Sequence, residues 1–217
     1  MAIERVFVDS DTQFDFIDPA GRLYVPGADE IHEAIGRLIR YAREMRIPVL
    51  SPVDEHPEDD PEFEQFGPHC VRGTAGQEKL GFTRLEPSLT LREEDELPDR
   101  PSRLVAEYAQ LIFPKRVFSV FSSPSFEKVI DGLDVGEYVV FGVALDYCVR
   151  EVSLGLLARG QRVTIVRDAV RSITPEGEKD TTRLLTERGA RWVDALEVTI
   201  ARSSPPASPN PHGTRST

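Results

Sequence analysis

Residues 138–149 have the sequence YVVFGVALDYCV, in which one apolar periodicity gives way to another. The first four residues are β-branched or aromatic, which is typical of a buried strand. From Leu145 the apolar residues recur at helical spacing as far as Gly160, where a helix can end. The stretch therefore predicts a strand, a glycine turn and a helix with Cys148 in its first turn. The helix dipole would favour a thiolate there, although most cysteines are buried and inert.

Strands and helices alternate over most of the chain. This alternation predicts an α/β fold of three α/β/α layers around a doubly wound, mainly parallel sheet of about six strands. In such sheets, ligands bind at the carboxyl ends of the strands. The predicted helices cover residues 29–45, 125–133, 145–159 and 174–188, and the predicted strands cover residues 6–8, 48–50, 111–113, 138–141, 162–166 and 190–193.

Composition sets the broad class of the protein. The formal net charge of −11 argues against nucleic acid or an anionic membrane as a partner. No apolar run is long enough to span a membrane, no leader pattern begins the chain, and two cysteines give no disulfide framework, which predicts a cytoplasmic protein. We expect one domain over residues 1–201, with a long loop at about 54–100, and a disordered proline-rich tail at 202–217. A homo-oligomer is left open.

Candidate catalytic side chains follow three of the predicted strands. Carboxylates at Asp9, Asp11 and Asp15 follow the first strand, where one can carry a proton and the others can cap turns. Lys115 follows the third strand and can hold charge beside a thiol, although such a lysine is often a solvated loop residue. Because parallel strands end at one edge of the sheet, Asp11, Lys115 and Cys148 form a self-consistent set for hydrolysis of an amide.

The chemistry predicted for this set is nucleophilic catalysis through a thioester. Lys115 and the helix N-terminus favour the thiolate of Cys148, and Asp11 takes the thiol proton and later gives it to departing ammonia. Backbone N–H groups of Ala144 and Cys148 can hold the tetrahedral oxyanion, and water then clears the thioester.

A candidate metal site follows the second predicted strand. Asp54 and His56 are two apart on an extended segment and project to the same side, and His69 follows thirteen residues later. Carboxylate and imidazole ligands suit zinc, manganese or iron and leave positions open for water or substrate. The alternative is a pair of surface histidines in a polar loop.

Four motifs resemble those of the isochorismatase-like cysteine hydrolases, and within them the nicotinamidase/pyrazinamidase branch. Residues 11–16 match D-x-Q-x-D-F, and residues 142–149 match G-x-A-x-D-x-C-V. Residues 115–121 match K-x-x-x-S-x-F, and residues 69–78 are similar to H-C-V-x-G-T-x-G-x-E. The similarity extends over nearly the whole chain, to about Ala201.

The resemblance implies a metal-containing amidohydrolase that acts on linear amide C–N bonds and converts nicotinamide to nicotinic acid and ammonia in NAD salvage. One divalent metal ion is implied, with zinc favoured and manganese or iron as alternatives, and it would orient the pyridine nitrogen. The Val143–Ala144 peptide is expected to be cis, which turns an amide N–H toward the oxyanion. The implied site residues are Asp11, Lys115 and Cys148 as the catalytic triad, Asp54, His56 and His69 as metal ligands, and Phe16, Phe66 and Tyr147 as substrate-binding residues.

Two departures from the family pattern affect the predicted pocket. Nicotinamidases usually carry W-P-x-H before the metal histidine, where this chain has Phe66, Gly67, Pro68 and His69. Phe66 can replace the aromatic wall, but the proline is displaced. In some relatives another ligand follows the D-W-H-P motif soon after. Here that motif is Asp54-Glu55-His56-Pro57 and no histidine lies between it and His69, so carboxylates at Glu62 and Glu64 are the candidate fourth ligands. Both can equally belong to a solvated acidic loop.

Three other functions are compatible with parts of the pattern. A related amidase would act on another carboxamide or on an N-carbamoyl compound. Residues 9–12 also resemble the D-x-D-x-T motif of haloacid-dehalogenase-type phosphatases, which would use Asp9 as the nucleophile with Mg²⁺, but no late acidic pair follows a strand to hold that ion. A binding module without catalysis would keep the fold alone. An ammonia-release screen and alkylation by iodoacetamide distinguish these alternatives.

Overall fold

Short apolar segments of this chain pair into a parallel sheet that runs through the middle of the molecule. The structure is a computed structural model, and it describes residues 2–92, 95, 97 and 101–200. The strands in that part of the chain follow the order β3-β4-β2-β1-β5-β6-β7, and every neighbouring pair is parallel. The predicted α/β fold is confirmed. The strands are β1 (Val6–Ser10), β2 (Val49–Asp54), β3 (Ser88–Thr90), β4 (Gln110–Lys115), β5 (Tyr138–Val143), β6 (Val163–Arg171) and β7 (Arg191–Val193).

Helices cover both faces of the sheet. Apolar side chains of the second and eighth helices pack against one face, and those of the fifth, sixth and seventh pack against the other. The helices are α1 (Phe14–Ile17), α2 (His32–Met45), α3 (Phe63–Phe66), α4 (Leu104–Glu107), α5 (Pro124–Asp131), α6 (Arg150–Ala158), α7 (Pro175–Glu187) and α8 (Ala195–Ile200). None of the helices in the described part of the chain is long and apolar enough to cross a membrane.

The central strand β1 shows why the sheet is buried on both sides. Val6 and Val8 belong to the core under α5, α6 and α7, whereas Phe7 between them belongs to the core under α2 and α8. Since side chains of a strand alternate between faces, a continuous apolar run fits only a strand covered twice. Burial of each such side chain contributes roughly 1.5–3 kcal/mol, which keeps β1 in the middle of the sheet.

The structure has four helices that were not predicted, α1, α3, α4 and α8, and it differs from the predicted elements at further positions. Ser88–Thr90 forms an edge strand within the predicted long loop and pairs with residues 110–112 of β4, so the sheet has one strand more than expected. The predicted helix from Leu145 starts as a π-helical turn, Leu145–Val149, before α6 begins. The helix predicted from residue 29 starts as a 3₁₀ turn, Ala28–Ile31. The predicted tail at residues 202–217, and the domain end at 201, lie outside the described residues.

The order of the strands creates a switch point between β1 and β5. After β1 the chain adds β2 beside it, then β3 at the edge and β4 between β3 and β2, and it returns to the other side of β1 with β5. At the carboxyl end Ser10 lies opposite Gly142, whose φ is 111°. A Cβ on Gly142 would lie 2.0 Å from the carbonyl oxygen of Ser10, so only glycine permits this approach. Ligands of doubly wound sheets bind at such switch points, next to Asp11 and Cys148 here.

Candidate active site

Four neighbouring strands bring the predicted catalytic residues to one edge of the sheet. Asp54 and Lys115 lie opposite each other in the register of β2 and β4. Asp11 directly follows β1, and Cys148 lies in the π-helical turn that follows β5. Because β4, β2, β1 and β5 are consecutive in the sheet, side chains separated by more than 130 positions in sequence meet at one place.

Lys115 lies at the centre of this cluster. Its Nζ is 3.2 Å from Oδ1 of Asp11 and donates a hydrogen bond of 3.4 Å to Sγ of Cys148. It also donates a hydrogen bond to Oδ1 of Asp54. Burial alone would lower the pKa of Lys115, but the three acidic neighbours Asp11, Asp54 and Cys148 hold it well above its usual value. Lys115 is therefore a fixed cation that holds three acidic groups together.

Cys148 is a buried thiol with opposing electrostatic influences. Burial raises the pKa of the Cys148 thiol well above its usual value; the Lys115 ammonium lowers it, and the Asp11 and Asp54 carboxylates raise it. Lys115 therefore lowers the pKa of the Cys148 thiol as expected, but burial raises that pKa by more. A nucleophile in this environment needs a nearby base to take its proton as it attacks.

Asp11 is the group placed to take that proton. Burial raises the pKa of Asp11 to about 6; Lys115 lowers it and the Asp54 charge raises it. Oγ of Ser10 donates a hydrogen bond of 2.9 Å to Oδ2 of Asp11. The φ of Asp11 is 52°, which non-glycine residues seldom adopt. A carboxyl group with a pKa close to neutrality can both accept and return a proton.

Asp54 belongs to both halves of the site. Burial would raise its pKa, but the charges of Lys115 and His56 outweigh burial and lower it to about 2. Its backbone is fixed by Gln13, whose Nε2 donates to the Asp54 carbonyl and whose Oε1 accepts from the Asp54 N–H, each at 2.7 Å. The glutamine of the first motif thus holds a carboxylate that lies 41 positions away.

The predicted metal ligands lie together beside Asp54. One ligand atom from each of Asp54, His56 and His69 lies within 4.8 Å of the others, and all three residues are buried. The pKa of His69 is lowered by burial, which favours the neutral ring that can ligate a metal. Nδ1 of His69 donates to the Gly67 carbonyl at 2.8 Å, so Nε2 keeps its lone pair for a ligand.

The donor set fits a divalent metal ion. Neither ring nitrogen of the buried His56 makes a hydrogen bond within the described residues, although carboxylates lie near both. Two imidazoles and a carboxylate are ligands that zinc, manganese and iron accept. Asp11, Asp54 and Cys148 also lie within 4.8 Å of one another, but the Lys115 ammonium already lies among these three. That second group is therefore not a metal site.

His56 is held from behind by a second carboxylate. Oδ2 of Asp60 is 3.2 Å from Nδ1 of His56. The same oxygen accepts a hydrogen bond of 3.1 Å from Nε of Arg116 and lies 3.0 Å from Nη2 of that residue. A carboxylate this close to Nδ1 favours the tautomer that carries its proton there, which leaves Nε2 toward Asp54 and the predicted metal. Sequence alone assigns no role to Asp60, because its partners become neighbours only in the fold.

Replacing Asp60 with alanine is expected to weaken zinc binding by about 10–100-fold, because His56 loses the group that fixes its ring. Competition of the purified variant against a chelating dye measures the affinity. Asp59→Ala is the matched control, since Asp59 is the exposed neighbour of the same type. Equal zinc affinity for the two variants would contradict this role of Asp60.

A pocket with an empty volume of about 370 Å³ lies between the thiol and the metal cluster. Asp11 and Cys148 line it together with Asp54 and His69, whereas Lys115 is not among the residues that line it. The ring of Phe16 packs against that of His69 with centroids 5.5 Å apart. The pocket therefore joins both predicted halves of the site.

The pocket wall is aromatic. The predicted residues Phe66 and Tyr147 line it and pack edge to face at 5.8 Å. Phe118 packs against both, at 5.9 Å and 5.1 Å, and also lines the pocket. Sequence alone gave Phe118 no role, although its place three residues after Lys115 in a motif was the available signal. Ile173 also lines the wall, and no sequence signal marks it.

The two candidate fourth ligands differ in position. Glu62 lines the pocket, and its Oε1 is 3.8 Å from Nε2 of His69. Glu64 is exposed and does not line the pocket. The pocket therefore brings Glu62, and not Glu64, to the predicted metal site.

Val143 and Ala144, the predicted oxyanion residues, line the pocket beside Cys148, and the peptide bond between them is cis.

Two other acids of the motifs have structural partners. Asp15 accepts hydrogen bonds from the backbone N–H groups of Cys70 at 2.8 Å and of Arg22 at 3.0 Å. Asp146 accepts hydrogen bonds from the N–H groups of residues 173 and 174, and these bonds position the pocket residue Ile173. These aspartates hold the site rather than enter it.

Asp9 lies away from the pocket. It is fully buried and accepts hydrogen bonds from Lys79 at 2.8 Å and from Thr12 at 3.2 Å. A phosphatase nucleophile at this position would have to face the substrate. The position of Asp9 therefore argues against the haloacid-dehalogenase alternative.

Comparisons with known proteins agree with this geometry. A family model described as the isochorismatase domain matches residues 6–197, which contain the whole pocket. An uncharacterized isochorismatase family protein, PncA, of Bacillus subtilis (strain 168) is 28% identical over 180 residues, covering 81% of this chain and 90% of that protein. The nicotinamidase of Escherichia coli (strain K12) is 24% identical over 188 residues, covering 78% and 84%. The crystal structure of the pyrazinamidase of Pyrococcus horikoshii in complex with zinc is 29% identical, with a TM-score of 0.70, covering 88% and 99%.

Proposed function

Because the chain belongs to the isochorismatase family, we propose that it is a metal-dependent amidase of the nicotinamidase type, which hydrolyses nicotinamide to nicotinic acid and ammonia. The observation that carries this proposal is one pocket that is lined both by the Cys148 thiol and by Asp54 and His69 of the proposed metal site. The names of a nicotinamidase and of a zinc-containing pyrazinamidase among its relatives support it.

The walls of the pocket favour a planar ring. Four aromatic side chains line the pocket, and their faces and edges pack well against another aromatic ring. They are Phe16, Phe66, Phe118 and Tyr147. A heteroaromatic carboxamide fits this description better than a long or highly charged substrate.

The proposed metal site and the Cys148 thiol together set the orientation of the substrate. A metal ion held by Asp54, His56 and His69, with zinc favoured, would supply a coordination position for the ring nitrogen, directly or through water. The carboxamide then faces Cys148. Ala144 lines the pocket next to the thiol, and the backbone N–H groups of Ala144 and Cys148 are the proposed donors to the oxyanion.

The proposed reaction uses the chain's own residues for each proton transfer. Sγ of Cys148 bonds to the carboxamide carbon as its proton passes to Asp11, and Lys115 stabilises the developing negative charge. The C–N bond then breaks as Asp11 gives the proton to the amide nitrogen. Ammonia departs, and the acyl group remains on Cys148 as a thioester. Water attacks the thioester carbon, Asp11 takes the water proton, and the C–S bond breaks. The sulfur regains its proton from Asp11 as the carboxylic acid product leaves.

The free thiol needs a reducing compartment, for which we propose the cytoplasm.

A panel of amides tests the proposal. Zinc-loaded enzyme is expected to release ammonia from nicotinamide and pyrazinamide with a kcat/KM at least about tenfold higher than from benzamide, which has the same shape without a ring nitrogen. Removal of the metal by a chelator should abolish this preference, and added zinc should restore it.

The same panel separates the alternatives. Preference for an N-carbamoyl amine over every aromatic amide would assign the site to a different amidase of the family. Absence of turnover of nicotinamide by zinc-loaded enzyme would contradict the proposal. Absence of ammonia from every amide tested, with metal bound, would indicate a binding module without catalysis.

A further inference from the structure

Asp9 and Lys79 form a buried ion pair that the proposed reaction does not use. Nζ of Lys79 is 2.8 Å from Oδ2 of Asp9, and the two side chains are only 3% and 0% exposed. Lys79 also donates to Oγ1 of Thr12 at 2.7 Å, and Thr12 donates to Asp9. Neither charged residue lines the pocket that contains Cys148.

A pair of this kind is a weak source of stability. Both charges have been withdrawn from water, and their attraction repays that cost only when every polar atom is satisfied. Oδ1 of Asp9 makes no hydrogen bond within the part of the chain that the structure describes. A pair that contributes little to stability can still specify geometry, since a buried charge accepts only the arrangement that pairs it.

The backbone around the pair forms a short antiparallel contact. The N–H of Leu80 donates to the Thr12 carbonyl at 3.0 Å, and the N–H of Phe14 donates to the Glu78 carbonyl at 2.9 Å. Gln13 and Lys79 are the bridged residues between them. The Lys79 side chain extends from this contact to Asp9 near the end of β1, so the ion pair secures the place where residues 78–80 meet residues 12–14.

The segment that ends at Lys79 carries the proposed metal ligands His56 and His69. Residues after β1 hold that segment at several points. Gln13 bonds to the backbone of Asp54 at its start and to the Gln77 carbonyl near its end, each at 2.7 Å. Asp15 accepts a hydrogen bond of 2.8 Å from the N–H of Cys70, next to His69. The Asp9–Lys79 pair closes the far end of the same segment.

We propose that the Asp9–Lys79 pair is a latch that fixes the far end of the segment of residues 55–79 and thereby positions His69 for the metal ion. Asp9 and Lys79 are positioning residues, because they act through this segment and touch neither the pocket nor the proposed metal ligands. The proposal rests on the proposed function only in taking a metal ion as the ligand of His69.

The test uses Asp9→Asn and Lys79→Met in the full-length protein. Each variant breaks the pair, and each is expected to increase amide hydrogen exchange of residues 69–80 at least about tenfold and to weaken zinc binding several-fold. The matched control is Glu137→Gln, which breaks the partly buried Arg5–Glu137 pair at the opposite end of the strands. The control is expected to lower Tm without changing exchange in residues 69–80 or zinc affinity.

The double variant Asp9→Leu/Lys79→Met tests whether the two residues act as one unit. It leaves no unpaired buried charge, so its Tm should be at least that of either single variant, and its zinc affinity should be no lower. Additive losses of zinc affinity, or a lower Tm with unchanged exchange and zinc affinity in the single variants, would overturn the latch. Wild-type protein that binds no zinc would contradict the proposed function instead, and exchange in residues 69–80 would still test the latch.

Discussion

Replacing Cys148 with alanine is expected to reduce turnover of nicotinamide by at least about 10⁴-fold, because no thioester can form without the sulfur. Zinc content should not change, since Cys148 contacts Lys115 and is not one of the proposed metal ligands. Ammonia release at high enzyme concentration and metal analysis of the same sample measure the two quantities. In the wild-type protein, mass spectrometry of a quenched reaction should detect the acyl adduct on the peptide that contains Cys148.

Cys70→Ala is the matched control for this variant. Cys70 is the other cysteine of the chain; it is also buried, and its Sγ contacts only the Gly76 carbonyl, at 3.8 Å, among the hydrogen bonds that the described residues form. Its replacement should leave activity within about tenfold of the wild type. Iodoacetamide should inactivate both the wild type and the Cys70 variant. Substantial activity of Cys148→Ala, or of fully alkylated wild-type protein, would refute the thiol mechanism.

Replacing Asp11 with asparagine is expected to lower kcat by about 10²–10⁴-fold with little change in KM. The amide keeps the size of the carboxylate and can still accept the hydrogen bond from Ser10, so the pocket should keep its shape. It cannot take the proton of the Cys148 thiol, whose pKa burial holds well above its usual value. Steady-state kinetics on nicotinamide separate kcat from KM.

Asp18→Asn is the control for the Asp11 variant, because Asp18 lies on the same segment but only caps the N–H of Ala20. Its kcat should match that of the wild type. An Asp11 variant whose kcat stays within about tenfold of the wild type would mean that another group carries the thiol proton. A rise in KM without a fall in kcat would assign Asp11 to substrate binding instead.

The core of the fold was predictable because its signals are local. The change of periodicity within residues 138–149 predicts β5 and the helical segment after it, and the alternation along the chain predicts the parallel sheet. The family resemblance carried by the same motifs is confirmed. The strand Ser88–Thr90 was not predicted, since two of its three residues are polar and it lacks the apolar run that marks the other short strands. That strand exists because its backbone pairs with β4, which is a property of the folded sheet.

The clustering of the candidate site residues could be predicted where they follow the ends of strands, and not where backbone conformation decides which way a side chain points. Asp9 and Asp11 are two apart, and on a regular strand both would lie on one face. The positive φ of Asp11 separates them, so that Asp11 enters the pocket while Asp9 pairs with Lys79. The partners of Gln13 and Asp60 are equally invisible in sequence, because they depend on contacts that only the fold creates.

The turn of residues 66–69 contributes both to the pocket wall and to the position of His69. Phe66 forms part of the pocket wall, and the Gly67 carbonyl fixes the ring of His69. The φ of Gly67 is 72°, so a side chain at this position would strain the turn. Only two residues separate Phe66 from His69, so we expect a substitution that widens the wall at Phe66 to change the affinity of the proposed metal site as well. Phe118 follows β4 and is not joined to His69 in this way, so we expect a change of pocket shape there to affect metal affinity less.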